Sequence, residues 1–199
     1  MSAEEEKEAP KPSQAAAPGA PAPRAPKAPP APKLEEILKQ PVPSAALDAL
    51  REALPDAIEG VVYHAGEVTA LVKVERLIEA GRFLRDDPRC RMNLLADLCA
   101  ADGPKEPKRF EVNYHLYSIP CRQRIRLKVR VADGESVPSV TGLWSTANWH
   151  EREAFDLFGI RFDGHPDLTR ILLPDDWKGH PLRKDYPLEG YPEQHPRFR

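Results

Sequence analysis

Few residues in this chain have types and spacings that could do chemistry. His150-Glu151 begins like a zinc-binding helix, but that pattern needs a second His where Ala154 stands. Glu151 and Glu153 could serve as acid and base only across a cleft. Helix positions turn by about 100° per residue, so two residues apart they diverge. His165, His180 and His195 recur at fifteen-residue intervals, each before a proline. No acid or His sits beside them at ligand spacing on one helix face, so they read as turn residues. Cys90, Cys99 and Cys121 form no Cys-x-x-Cys pair and cannot supply the four thiolates of an ordinary iron–sulfur cluster. They read as reduced core or surface thiols. There is no Gly-x-Ser-x-Gly and no phosphate-cradling or dinucleotide glycine loop. The residues therefore predict no catalytic, cofactor-binding or metal site on this chain.

What stands out instead is a dense stretch, WHEREAFDLFGIRFDGHPDLTRILLPDDWKGHPLRKDYP, from Trp149 to Pro187. Its first part predicts a helix with Ser145 as N-cap, running to Phe158, with Gly159 as a left-handed C-cap. Ala154, Phe155, Leu157 and Phe158 supply an apolar face, and Glu151, Arg152, Glu153 and Asp156 are expected on the rest of the surface. Arg152 and Asp156 stand at i,i+4, where they could pair. Beyond Gly159 the two Gly-His-Pro turns break the helical period. Leu168, Ile171, Leu172, Leu173 and Trp177 could pin the loop to a core. Near the end, Leu182 and Tyr186 are expected to face the domain, leaving Arg183, Lys184 and Asp185 to point outward or toward a neighbour. A long pinned loop carrying ordered charges usually presents a surface to something.

The Glu-Arg-Glu-x-x-Asp helix, the Gly-His-Pro-Asp-Leu turn and the Gly-His-Pro-Leu-Arg-Lys-Asp-Tyr-Pro ending occur together and in order. This closely resembles the thirty-kilodalton subunit family of respiratory complex I, which in bacteria supplies the C-type subunit of NADH-quinone oxidoreductase. The resemblance is close over the last quarter of the chain and holds in outline through the middle. One departure is Thr169, where many relatives carry Lys or Arg; Arg170 stands beside it. The resemblance implies a non-catalytic scaffold in the peripheral arm, packed beside the large subunit that helps form the quinone chamber and near cluster-carrying subunits. It implies FMN and iron–sulfur clusters on those partners and none on this chain. It also implies peripheral attachment, through partners, to the cytoplasmic face of the inner membrane. Glu151, Arg152, Glu153, Asp156, His165, Arg170, His180, Arg183, Lys184 and Asp185 are then the expected partner-interface residues. An equivalent subunit of a membrane-bound hydrogenase or photosynthetic-type dehydrogenase, or a free-standing interaction module, would read similarly.

The elements that must position this segment can be traced from Ser44. Ser44 is a candidate N-cap for AALDALREAL, whose Leu47, Leu50 and Leu54 keep helical spacing until Pro55. Ile58–His64 and Val68–Val74 predict strands around an Ala65-Gly66-Glu67 turn, and Val74–Arg85 a helix weakened by Gly81. Met92–Cys99, Arg109–Tyr117 and Arg124–Val131 predict three more strands. In the last, Ile125, Leu127, Val129 and Val131 face one way and Arg124, Arg126, Lys128 and Arg130 the other. The order helix, two strands, helix, three strands, then a C-terminal helix and long ordered loop defines an α+β domain with helices on one face of a sheet.

Composition bounds the rest. The 199 residues carry a formal charge of −2 with 30% charged residues, which argues against broad nucleic-acid binding or a polybasic membrane patch. The basic face of Arg124–Arg130 lacks the aromatic interleaving of single-strand binders and reads as a solvated strand face. No apolar run approaches the roughly 20 residues of a membrane helix. The acidic start MSAEEEKEAP has no apolar core of a secretory signal, so a cytoplasmic location is expected. Residues 1–43 hold eleven of the 23 prolines in an Ala/Pro/Lys/Glu tract and predict a disordered arm, with one short turn at Leu34–Gln40, ahead of a domain at 44–199.

Overall fold

Alternation of apolar and charged residues organises the sheet, as the computed structural model of residues 44–64, 66–103 and 108–191 shows. The expected arm at 1–43, Ala65 of the first turn and His195 lie outside these described residues. In chain order the elements are α1 (Ala45–Ala53), β1 (Ile58–His64), β2 (Glu67–Val72), α2 (Leu77–Asp86), β3 (Leu94–Asp102), β4 (Phe110–Ser118), β5 (Gln123–Val131), β6 (Ser136–Pro138), α3 (Ala147–Phe158) and β7 (Arg161–Asp163). The main sheet runs β1-β2-β5-β4-β3. Only the central β2–β5 pair within it is parallel; β1–β2, β4–β5 and β3–β4 are antiparallel.

One face of this sheet is the core. Phe110, Val112, Tyr114 and Leu116 of β4 and Ile125, Leu127, Val129 and Val131 of β5 are all buried there. Leu47 and Leu50 of α1, Leu77 and Leu84 of α2, and Ala154 and Phe158 of α3 belong to the same buried cluster. Ser44 caps α1 by accepting a hydrogen bond from the Leu47 amide at 3.3 Å. Gly81 is where α2 meets the chain before α3: a Cβ there would lie 2.8 Å from Leu143 Cδ1. A weak helix former is thus tolerated because close approach requires it.

The opposite face carries the basic stripe of β5, and two acids of the sheet offset part of its charge. Glu67 pairs with Arg124 and Arg126, each at 2.9 Å, and Glu111 pairs with Lys128 and Arg130. This agrees with the solvated-face expectation.

Three local expectations differ from the structure. The helix expected from Val74 begins at Leu77, because Val74–Arg76 forms a tighter 3-10 turn. The third helix is not capped by Ser145. It begins at Ala147 behind Thr146, which makes no side-chain cap, and the amides of Ala147 and Asn148 bond to the carbonyls of Trp144 and Ser145. Thr146 instead donates its hydroxyl to the Leu95 carbonyl at 3.2 Å, tying the helix start to β3. The parallel pair β6–β7 was not expected; three residues are too few to show a period of two.

Candidate functional site

Helix α3 and the loop after it are built around two acids that the sequence pattern puts on the surface and the fold buries. Glu151 and Asp156 are both fully buried. Glu151 accepts hydrogen bonds from the Ser139 hydroxyl and the Val140 amide, each at 2.7 Å, and so ties α3 to the segment after β6. Burial pushes its carboxyl up to about 7, although both hydrogen bonds act in the opposite sense.

Asp156 organises the loop. Its Oδ2 accepts the amides of Ile171, Leu172 and Leu173 at 3.2, 2.8 and 2.9 Å, and its Oδ1 meets Arg170 Nη1 at 3.2 Å. Asp156 and Arg152 therefore do not form the expected i,i+4 pair. Arg152 instead donates to the Thr169 carbonyl and hydroxyl and to the Arg170 carbonyl, and its guanidinium lies 5.1 Å from the centroid of the Trp149 ring. A backbone with free amides and carbonyls offers these two side chains more than they offer each other.

The two Gly-His-Pro histidines brace α3 from outside. His165 Nε2 meets the Asn148 carbonyl at 3.2 Å, while its Nδ1 accepts the Asp167 amide at 3.0 Å. His180 Nδ1 donates to the Asp156 carbonyl at 2.8 Å. The His180 ring fills the space over Gly159, where a Cβ would come within 2.6 Å of Nε2. Gly159 has φ 76°, so the position needs glycine for its backbone and for this ring.

The ending Gly179–Pro187 is clamped to the sheet, with Lys184 and Asp185 still exposed. Arg109 at the start of β4 binds Asp102 at the end of β3, and its Nη1 and Nη2 reach Asp185 at 3.0 and 3.1 Å. The Lys184 amide donates to Asp102 Oδ2 at 2.8 Å. The Arg109 guanidinium holds the carboxyls of both Asp102 and Asp185 below their usual range. Arg183 pairs with Asp133, and the guanidinium carbons of Arg183 and Arg109 each lie 4.9 Å from the Phe110 ring centroid. Leu182 does not face the domain: its amide binds the Leu157 carbonyl and its side chain is half exposed. Leu168 packs on the core as expected, whereas Leu172 is exposed and Trp177 half-buried.

The predicted interface residues thus divide. Glu151, Arg152, Asp156, His165, Arg170, His180, Arg183 and Asp185 make contacts within the chain; Glu153 and Lys184 expose their side chains. Asp102, Arg109, Asp133 and Ser139 were missed, since nothing local marks a side chain whose partner lies twelve residues away, as for Ser139, or fifty and more, as for the other three. The strap's exposed surface is mostly charged, with Asp163, Asp167, Asp175, Asp176 and Lys178 among its exposed residues, and three large apolar side chains stand out among them: Trp149, Leu172 and Leu182. Among the described residues seven large apolar side chains are exposed, and Trp149, Leu172, Leu182, Leu188 and Tyr191 are five of them.

The site and fold together define an α+β sheet domain with an internally clamped C-terminal strap. Residues 70–192 match the family described as respiratory-chain NADH dehydrogenase, 30 Kd subunit. The C-type subunit of NADH-quinone oxidoreductase from Roseiflexus sp. (strain RS-1) is 56% identical over 146 residues, covering 73% of this chain and 84% of that protein. The second C-type subunit of NADH-quinone oxidoreductase from Rhizobium etli (strain CIAT 652) is 48% identical over 152 residues, covering 76% and 81% respectively. The solved trypsin-resistant fragment (1-134) of Nqo5 is 31% identical with a TM-score of 0.52, covering 63% of this chain and all of the fragment. The chain belongs to the 30 kDa subunit family of respiratory-chain NADH dehydrogenase.

Proposed function

We propose that this chain is a non-catalytic scaffold subunit in the peripheral arm of a proton-translocating NADH:quinone oxidoreductase, docking through residues 149–187 onto the large subunit of the quinone chamber. The carrying observation is the division of labour in the strap. Its buried acids and cations are spent on holding the loop in shape, while Trp149, Leu172 and Leu182 stand outward. Exposed aromatic and aliphatic side chains set among exposed charges such as Glu153 and Lys184 are the kind of composition from which protein–protein interfaces are built. Arg152 and His165 hold the frame beneath it. FMN and iron–sulfur clusters belong on the partner subunits in this reading. Among the described residues no helix is long and apolar enough to cross a membrane, consistent with attachment through partners at the cytoplasmic face of the inner membrane. Relatives named for NADH-quinone oxidoreductase favour this reading over a hydrogenase-type complex. A tagged copy expressed in its own cells should co-purify flavin and iron–sulfur absorbance. A chain recovered alone, free of both, would overturn the proposal.

A further inference from the structure

Two residues on β3 and one on β4 meet on the face of the sheet opposite the core, beside the start of α3. Without interruption, Leu95, Asp97 and Cys99 would all share one face of β3. A bulge between Leu95 and Asp97 breaks that rule: Leu95 stays in the core opposite Leu116, while Asp97 comes opposite His115 and Cys99 opposite Asn113. The bulge therefore turns Asp97 and Cys99 to the face that carries His115, and such bulges commonly serve to re-aim side chains at sites. One ligand atom from each of Asp97, Cys99 and His115 lies within 4.8 Å of the others.

We propose that Asp97, Cys99 and His115 bind a divalent transition-metal ion, zinc foremost. A thiolate, an imidazole and a carboxylate together suit a borderline ion that prefers sulfur and nitrogen, whereas magnesium and calcium call for oxygen ligands throughout. His150 on α3 is the candidate fourth ligand, with its Nδ1 3.7 Å from Asp97 Oδ1. The neighbouring cations do not bar an ion, because Arg126 is already paired with Glu67 and Lys128 with Glu111. A cavity of about 330 Å³ has Asp97 and His115 in its wall and gives access from solvent. An ion held here would brace the edge strand β3 against the helix that begins the docking strap. Spacing in the sequence does not reveal the site, since its residues come from two strands brought into register by pairing.

The test uses the untagged full-length chain. Zinc affinity is measured by competition with a chromophoric chelator, and cobalt(II) serves as a spectroscopic stand-in for zinc. The parent chain should bind one equivalent, and cobalt should add a near-ultraviolet thiolate-to-metal band. Cys99→Ala should abolish the band and weaken zinc binding by roughly tenfold or more, at least the loss that removing an outer-shell partner brings. Cys121→Ala, at the other exposed cysteine, should change neither. His115→Ala should also weaken binding; if it fails to fold, Cys99→Ala, at an exposed position, still decides. No binding by the parent chain, or equal binding by Cys99→Ala and Cys121→Ala chains that melt alike, would overturn the proposal.

Discussion

Replacing Asp156 with alanine should release the strap, and the structure sets the size of the effect. One fully buried carboxylate accepts three consecutive backbone amides and one guanidinium contact. Alanine leaves all four donors without their acceptor. Hydrogen bonds to a charged group contribute roughly 1.5–3 kcal/mol each but do not add. Breaking a buried ion pair on one side costs about 3–5 kcal/mol, and we take that range for the whole site. In a domain of this size it corresponds to a fall in melting temperature of about 6–20 °C if the strap and sheet unfold together. If the strap opens first, the loss appears as faster hydrogen exchange at Ile171, Leu172 and Leu173 while the sheet amides keep their protection. Asp156→Asn keeps one oxygen acceptor and should lose less, about 1–3 kcal/mol. A thermal melt and amide exchange on the isolated chain separate these cases. An Asp156→Ala chain with an unchanged melt and unchanged exchange at the three amides would refute the reasoning.

Glu151 should make stability depend on pH. Its folded value near 7 lies above the unfolded value of about 4.3, so its contribution is complete below the unfolded value and is lost as pH rises through the folded one. Between about pH 5 and 8 this group should remove on the order of 2–3 kcal/mol. Glu151→Gln should abolish that slope in denaturant titrations, and parallel slopes would contradict it. Arg183→Glu sets a carboxylate beside Asp133 and removes the cation from the Phe110 ring, so it should lower stability by roughly 1–3 kcal/mol, read in a thermal melt; an unchanged melt would make Arg183 a solvated residue. Deleting residues 1–43, a tract with eleven prolines, is expected to leave the melt of the 44–199 domain unchanged, and a drop of many degrees would show that the tract belongs to the fold.

Strands β4 and β5 were legible because alternation is a local signal, and β1 because its residues favour strands. The span Ile58–His64 appears in the structure as predicted, and β5 extends its predicted range by one residue. The turns at Gly159, Gly164 and Gly179 were equally legible, and all three have positive φ. The strap's contacts were not. Burial of Glu151 and Asp156 depends on Val140 and on the amides at 171–173, which meet α3 only after the chain has turned back. Charge near the C-terminus suggested exposure, yet Arg109, Asp102 and Asp133 from the sheet region consume it. The same limit hid Asp97 and His115, which face each other only across a bulged register.

The most direct measurement is assembly with the large partner subunit when the outward apolar residues are changed and the strap's internal bonds are left alone. Leu172→Ser combined with Leu182→Ser alters two exposed side chains, and surface changes of this kind usually leave stability within about 0.5 kcal/mol. Truncating central apolar anchors of an interface typically costs at least 2 kcal/mol of binding. The account predicts an unchanged melt together with loss of the large subunit, flavin and cluster absorbance from the co-purified fraction. Full recovery of all three with the double variant would contradict it.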